Sequence, residues 1–424
     1  MILYQGKKFA SHNQDTLIEK LEDDCLETLA SKKKLESHIV INACDQLMQR
    51  IIKGEFDHLI KPLLNEFDIP DDQFESYVSM FSKASLEKKV EIELGSDYNA
   101  LSPLNDTNER ALYPLGILFH ISAGNVDVLP AYSVIEGLLV GNINILKLPT
   151  GDKGVSVELL YALIQIEPRL KDYIYVFDVP STDIDTLKQF ASISDAIVVW
   201  GGDEAVQTAR HMATVNTKLI EWGHKLSFAY ASLDAKDEDL IALAKHIITT
   251  NQILCSSAQG IFVDTDDRDQ LDRFAKRFFA LFLETQKAYP PVPFGMKSKN
   301  AVELYYEHMV KHKTGKRIWK DKGISVITAD DHTLELSLLF RNVWIKMLPA
   351  KDIVRVIKPH KNYLQSATIL APSTHYNHYL DNLIKAGLVR IKTPSDMSEL
   401  TLGESHDGMY PLRLYSRVVE FYQK

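Results

Sequence analysis

Nine runs between Leu115 and Gly223 decide the fold: LGILFHI (115–121), PAYSVIEGLLVG (130–141), INILKLP (143–149), GVSVELLYALIQI (154–166), YIYVFDVP (173–180), IDTLKQFASI (184–193), AIVVWGG (196–202), DEAVQTARHMATV (203–215) and TKLIEWG (217–223). Short β-branched and aromatic runs alternate with longer stretches of helical period, which predicts a doubly wound parallel sheet of the α/β class. Upstream, Leu17, Leu21, Leu26 and Leu29, then Ile39, Ile41, Leu47, Ile51 and Ile52, recur at three- and four-residue spacing, so the N-terminal region reads as helical. Downstream comes a second α/β stretch. It holds the helix DEDLIALAKHIITTNQ (237–252), the strand GIFVD (260–264) and an amphipathic helix from Arg268 to about Lys287, ended by Pro290, Pro291 and Pro293. Residues 301–322 read as less regular and basic, and the β-rich pieces GISVITA, NVWIKMLPA and SATILAP follow.

Composition narrows the function. A chain of 424 residues with 45% hydrophobic content is long enough for two or three domains with well-filled cores. Lysine and arginine number 48 against 57 acidic residues, a net charge of −9, and they form no long basic block, which argues against a nucleic-acid partner. The most apolar stretch, Leu115 to Pro149, is interrupted by His120, Asn125, Asp127, Glu136 and Asn142, so no membrane span is expected. The start MILYQGKKFASHNQDT turns polar after four residues, unlike a signal peptide, and a cytoplasmic location is expected.

Three cysteines are too few and too scattered for a disulfide framework or a Cys-x-x-Cys metal site. Cys25 and Cys44 fall in helical patterns and read as small core residues. Cys255 falls in a loop, NQILCSSAQ, between a helix and a strand.

The Gly-x-Gly-x-x-Gly fingerprint is absent, so function rests on five segments in order: GILFHISAGN (116–125), GNINILKLPT (141–150), VVWGGDEAV (198–206), IEWGHK (220–225) and NQILCSSAQGIFV (251–263). Together they resemble the aldehyde dehydrogenase superfamily. The NQILCSSAQ loop, the WGGDEAV turn and the late SHDGMYPL segment (405–412) look most like LuxC-type acyl-CoA reductases, over roughly Glu109 to the C-terminus.

The resemblance implies an aldehyde-dehydrogenase-like fold. Its expected division is a helical region over 1–90, an NAD(P)-binding domain over 91–225, a catalytic domain over 226–390 and a C-terminal return or oligomerisation segment over 391–424. It implies Cys255 as the nucleophile, a role thiolates suit because they attack thioester carbonyls readily near neutral pH. Asn125 matches the oxyanion donor, although many members carry a proline two residues later and here the next is Pro130. Lys147, within the Leu-Lys-Leu-Pro run that ends at Pro149, matches the lysine that holds the cofactor's adenosine ribose. Thr150 stands where NAD-preferring relatives often carry a glutamate. A carboxylate would repel a 2′-phosphate and a threonine would not, which favours NADPH while leaving NADH open.

Gly201 and Gly202 sit between strand and helix, where backbone can approach cofactor phosphates. Glu221 matches the glutamate that activates hydrolytic water in oxidising members, yet a reductase needs no such base, so a structural role is equally open. Each residue also has a plain structural reading: a buried loop cysteine, a turn asparagine, a strand-end lysine reaching for water, an ordinary glycine turn. His120 and His224 read as hydrogen-bonded packing, Trp200 as packing, and His406 with Asp407 carry no assigned role. The basic stretch Lys311 to Lys322 reads as a solvated loop rather than a coenzyme A contact.

The implied reaction is reduction of a long-chain fatty acyl-CoA or acyl-protein thioester to the aldehyde. The implied partners are a second copy of the chain and an acyl-transferring or acyl-activating protein. The alternatives are an aldehyde dehydrogenase working in the oxidising direction and a non-catalytic acyl-binding subunit.

Overall fold

Two units build the chain, Met1–Gly223 with Thr401–Lys424, and His224–Leu400. The computed structural model describes all residues except 32–33, 68–73, 76–77, 123–127, 151, 293, 400 and 423–424.

In the first unit β1 (Ile2–Tyr4) and β2 (Lys7–Phe9) form an antiparallel hairpin, which the sequence reading did not include. Strands β3 (Ser102–Pro103) and β4 (Asn108–Pro114) belong to a small sheet taken up below. The nine deciding runs then become β5 (Ile117–Ile121), β6 (Ile143–Lys147), β7 (Ile174–Phe177), β8 (Ala196–Trp200) and β9 (Lys218–Trp222) with the helices between them. Among the described residues the main sheet runs β2-β1-β7-β6-β5-β8-β9, parallel from β7 to β9, with β1 added antiparallel to β7.

Strands β5 to β8 are apolar almost throughout because helices cover both faces. Helices Ser37–Ile52, Lys83–Leu94, Leu129–Val140 and Val155–Ile166 pack on one face, and Gln14–Ala30, Ile184–Ser192 and Asp203–Met212 on the other. The N-terminal helices are thus part of this unit's core. Helix Leu129–Val140 stops at Gly141, whose φ of 94° is left-handed and whose missing Cβ would meet the Leu35 carbonyl. That stop aims the chain into β6. From β5 the chain adds β6 and β7 on one side and then crosses to add β8 and β9 on the other. The carboxyl ends of β5 and β8 therefore flank a topological switch point, the usual ligand crevice of such sheets.

The second unit holds β10 (Leu226–Ala231), β11 (Ala258–Val263), β12 (Arg317–Asp321), β13 (Ile324–Ala329), β14 (Asn342–Met347), β15 (Leu364–Leu370) and β16 (Arg390–Ile391). Among the described residues they run β12-β13-β14-β11-β10-β15-β16, parallel except for the β12–β13 pair. Helices Asp237–Thr250 and Arg268–Gln286 cover one face, Ile353–Ile357 and Ser373–Ala386 the other.

One expectation is corrected here. Residues 301–322 are regular, a helix Phe294–Thr314 followed by β12. Its apolar residues Val302, Tyr305, Tyr306 and Met309 fall at helical spacing but stay exposed, so the basic composition masked the period.

At the end of the chain β17 (Ser416–Tyr422) pairs antiparallel with β4, making a three-stranded sheet with β3 in the first unit. The return to that unit starts at Thr401, and residues 391–399 go with the second unit. Among the described residues no helix is long and apolar enough to cross a membrane.

Candidate active site

Lys147 ends β6, and its ammonium is carried through apolar neighbours until it is 3% exposed. Nζ donates to Ser181 Oγ at 2.7 Å. Burial lowers the lysine's pKa, while the Asp178 carboxylate just past β7 works to raise it. Pro149 is buried and Thr150 exposed in the turn that follows.

Gly201 and Gly202 lead from β8 into helix Asp203–Met212, whose start has no side-chain cap, and a Cβ at Gly202 would meet nothing within 4 Å. Open space beside uncapped N–H groups fits a phosphate, but Asp203 and Glu204 in the first turn make this a poorer anion site than Lys147. These residues share the carboxyl edge of one sheet, with β6 and β8 on either side of β5. Together they fit the adenosine and phosphate portion of a nicotinamide dinucleotide. Asn125 lies outside the described residues, in the segment after β5.

Glu221, on β9, is held by Arg210 of the preceding helix. Both guanidinium nitrogens donate, Nε to Oε1 and Nη2 to Oε2, the latter at 2.6 Å. Next to it the SHDG segment packs His406 edge-on against Trp200 and Trp222, with ring centroids 5.0 and 4.8 Å away. Trp200 Nε1 donates to Ser133 Oγ, which also meets the buried His120 ring. Burial pushes His120 down to about 4, so it is neutral packing and not an acid-base group. His224, by contrast, is exposed.

In the second unit Cys255 lies on the loop between helix Asp237–Thr250 and β11, at the amino ends of β10, β11 and β15. The thiol is exposed, whereas Cys25 and Cys44 are buried. Burial pushes Cys25 up to about 12 and raises Cys44 as well, so both stay protonated thiols.

The loop under Cys255 is pinned by buried side chains. Gln252, 1% exposed, donates to the carbonyls of Ala258, Gln259 and Asn342 at 3.2–3.3 Å. Gln259 donates back to the carbonyls of Gln252 and Ser257 at 3.0 and 3.2 Å. His246 accepts from the Ala258 N–H, and burial holds it neutral with its pKa down at about 4. Ser227 Oγ donates to the Cys255 carbonyl at 2.7 Å, and Gln365 Nε2 donates to Cys255 Sγ at 3.4 Å. Arg341 Nε reaches Asn251 Oδ1 at 3.0 Å from a turn in which Leu339, Phe340 and Arg341 are all left-handed. What the arrangement offers chemically is a presented thiol on a loop braced by buried hydrogen bonds.

Comparison with known proteins places the chain. A model of the acyl-CoA reductase (LuxC) family matches residues 33–418. The chain belongs to that family. Among similar proteins, this LuxC-family reductase is 23% identical to the long-chain acyl-protein thioester reductase of Aliivibrio fischeri, over 98% of this chain and 89% of the relative. It is 26% identical to that of Vibrio harveyi, over 80% of this chain and 71% of the relative. Solved structures share its fold at lower identity. Methylmalonate-semialdehyde dehydrogenase from Oceanimonas doudoroffii aligns with a TM-score of 0.70 at 13% identity, covering 100% of this chain and 97% of the other. Glyceraldehyde-3-phosphate dehydrogenase from Methanocaldococcus jannaschii, complexed with NADP, aligns with a TM-score of 0.69 at 14% identity, covering 98% and 95%. The LuxC-family chain therefore has the aldehyde dehydrogenase fold and is an oxidoreductase.

Sequence reading missed residues that the LuxC-family structure brings to these candidate sites, among them Asp178, Ser181, Arg210, Ser227 and Gln365. Ser227 and Gln365 contact Cys255 from strands far along the chain, so no local spacing signals them. Asp178 was the most accessible, as an acidic residue one position past a strand end in a doubly wound sheet.

Proposed function

We propose that this chain reduces a long-chain acyl thioester, carried on coenzyme A or on a protein, to the aldehyde through an acyl-enzyme on Cys255, with NADPH as reductant. One observation carries the reading: of three cysteines, the single exposed one sits on a loop braced by buried amides, with its own carbonyl held by the Ser227 hydroxyl. The family membership and the acyl-protein thioester reductases among its relatives support the substrate class.

In the proposed course the Cys255 thiolate attacks the thioester carbonyl. The new S–C bond forms as the donor's C–S bond breaks, and the donor leaves as a thiolate. The Cys255 N–H, with Asn125 assigned by resemblance, supports the oxyanion. NADPH, when bound, supplies the hydride that reduces the acyl carbon. The second tetrahedral centre then expels Cys255 as the thiolate that began the cycle, the aldehyde departs, and the one proton consumed goes to the donor's thiolate. Lys147 would hold the cofactor's ribose, and Gly201 and Gly202 its phosphates.

Glu221, doubly engaged by Arg210, is assigned a structural role, which weighs against the oxidising alternative. A second cofactor reading has its own support: Asp178, beside Lys147, would accept from a ribose 2′-hydroxyl and repel a 2′-phosphate, which favours NADH against the Thr150 argument. An oligomer is also proposed, through the outer edge of β17, where Val418 and Tyr422 are exposed.

The test is to give the pure protein tetradecanoyl-CoA and follow NADPH and NADH oxidation, with Cys255→Ala alongside. The expected result is aldehyde and free coenzyme A from the wild type, and a loss of more than about 10⁴-fold in the variant. Undiminished turnover by Cys255→Ala overturns the acyl-enzyme reading. Thr150→Glu and Asp178→Asn should move the NADPH to NADH ratio in opposite directions.

A further inference from the structure

We infer that Gln365 is a catalytic residue, whose side-chain amide donates to Cys255 Sγ and steadies that sulfur whenever it carries negative charge. The inference rests on the reading of Cys255 as the nucleophile and adds a group that reading does not contain.

The argument begins with strand register. Along β10 and β15, Leu226 faces Leu364 but Phe228 faces Ala367, so β15 carries one residue more than β10 across this stretch. Along β10 and β11, Ser227 faces Ala258 but Ala229 faces Ile261, so β11 carries an extra residue as well. Irregularity on both sides of one strand meets at Ser227. A bulge re-aims side chains that a regular ladder would place on fixed faces.

The residues gathered at this irregularity all serve the Cys255 loop. Gln365 Nε2 lies 3.4 Å from Sγ. The Ser366 N–H donates to Ser227 Oγ at 3.1 Å, and Ser227 Oγ donates in turn to the Cys255 carbonyl at 2.7 Å. On β11, Gln259 donates to two loop carbonyls and is itself fixed by Ser337, whose N–H and hydroxyl donate to its Oε1 at 3.2 and 2.8 Å. The main chain of Cys255 is held from one side of the bulge, and its sulfur is met from the next residue along β15.

The chemistry follows from what each form of sulfur accepts. A thiolate is a far better acceptor than a thiol or a thioester sulfur, so an N–H aimed at Sγ favours the charged states over the neutral ones. The sulfur is charged before attack and again as the second tetrahedral centre collapses. It is neutral in the acyl-enzyme between them, so the contact raises the thiolate fraction before attack and favours departure of the sulfur at the end. Gln365 is 3% exposed and already in place, so little reorganisation accompanies the reaction. A neutral donor also suits a reversible nucleophile. A fixed cation would stabilise the thiolate further but would make it less nucleophilic, since nucleophilicity falls with thiol pKa.

The experiment compares full-length wild type, Gln365→Met, Gln365→Glu and Cys255→Ala. Iodoacetamide alkylation at Cys255 is followed by peptide mass from pH 5.5 to 10, with thermal unfolding as the control for folding. Gln365→Met, similar in size and without a donor, should move the alkylation midpoint up by about one pH unit, roughly a tenfold slower reaction at neutral pH. Gln365→Glu should move it further, because an ionised carboxylate opposes the thiolate, and Gln365→Leu serves as the donor-free variant if the methionine variant does not fold. A residue that only packs would change the plateau rate and leave the midpoint in place, so a wild-type midpoint in the donor-free variant overturns the assignment. If Cys255→Ala still turns over acyl-CoA, the nucleophile reading fails. If it is inactive while the donor-free Gln365 variant titrates like wild type, the Gln365 inference alone fails.

Discussion

The main sheet of the first unit keeps an unbroken register from β7 to β9 and carries its candidate residues at its carboxyl edge, whereas the sheet of the second unit breaks register on both sides of Ser227 and carries Cys255 at its amino edge. The contrast separates two tasks. In the proposed site a cofactor would be met by groups at or just past the strand ends, Lys147 and the Gly201–Gly202 turn, so the strands can stay regular. A nucleophile has to be fixed to fractions of an ångström, and here the strands themselves are distorted to bring amides and a hydroxyl against one loop. The first design relies on open backbone and one buried cation, the second on buried side chains hydrogen-bonded to the loop's main chain.

The largest expected effect tests whether both sheets depend on neutral buried histidines. His120 on β5 and His246 beneath β11 are each held near 4 by burial, below their value of about 6.5 in an unfolded chain. A folded value below the unfolded one means that the unfolded chain binds more protons between these limits. Stability is then full above about 6.5 and falls as the pH drops toward 4, by on the order of 3 kcal/mol for each histidine. Amide exchange on β5 and β11, measured at pH 7 and 4.5 and corrected for the intrinsic exchange rate at each pH, should quicken in both sheets. Quickening in only one would show that the histidine of the other is not held neutral.

Gln252→Ala should separate the sheets. It strips donors from three buried carbonyls and leaves a cavity, at a cost on the order of 3 kcal/mol, and should slow acylation of Cys255 along with lowering the melting temperature. Cofactor binding should be unchanged, and a parallel loss of it would mean that the first unit depends on this network too. Lys147→Met is the converse case. The expected result is a KM for the nicotinamide cofactor raised roughly 10- to 30-fold with kcat and Cys255 alkylation little changed, as for a charge-assisted contact made equally before and during reaction. An unchanged KM would remove Lys147 from the cofactor site.

The same contrast explains what could be read from the chain. The alternation from Leu115 to Gly223 was legible because every strand is a short apolar run and every crossover a helix of ordinary length. The hairpin β1–β2 was not, since three-residue strands have too few positions for a period. Strand β10, LSFAYA, is buried at every position and shows no alternation. At the candidate site, Cys255 and Lys147 were legible as residues out of keeping with their surroundings. Gln365 and Ser227 were not, because their roles depend on register shifts between strands more than 100 residues apart in sequence. Local pattern reports the faces of strands, and bulges are decided by partners that local pattern does not see.

The smallest expected effect concerns the Arg210–Glu221 pair at the end of the regular sheet. Arg210 is 61% exposed and Glu221 26%, so the paired charges remain largely in solvent and the pair should contribute little to stability. Arg210→Gln should shift the melting temperature by no more than a few degrees, with the shift shrinking as salt is added. The informative readout is the fate of the acyl group. If Glu221 has a structural role, releasing it from Arg210 leaves aldehyde as the product. If the carboxylate is a base restrained by the arginine, release should let water compete with hydride, and fatty acid would accumulate from tetradecanoyl-CoA in the variant and not in the wild type. Acid formation would make the ion pair part of what separates a reductase from its oxidising relatives, and would place a chemical task on the regular sheet that its geometry otherwise leaves to the distorted one.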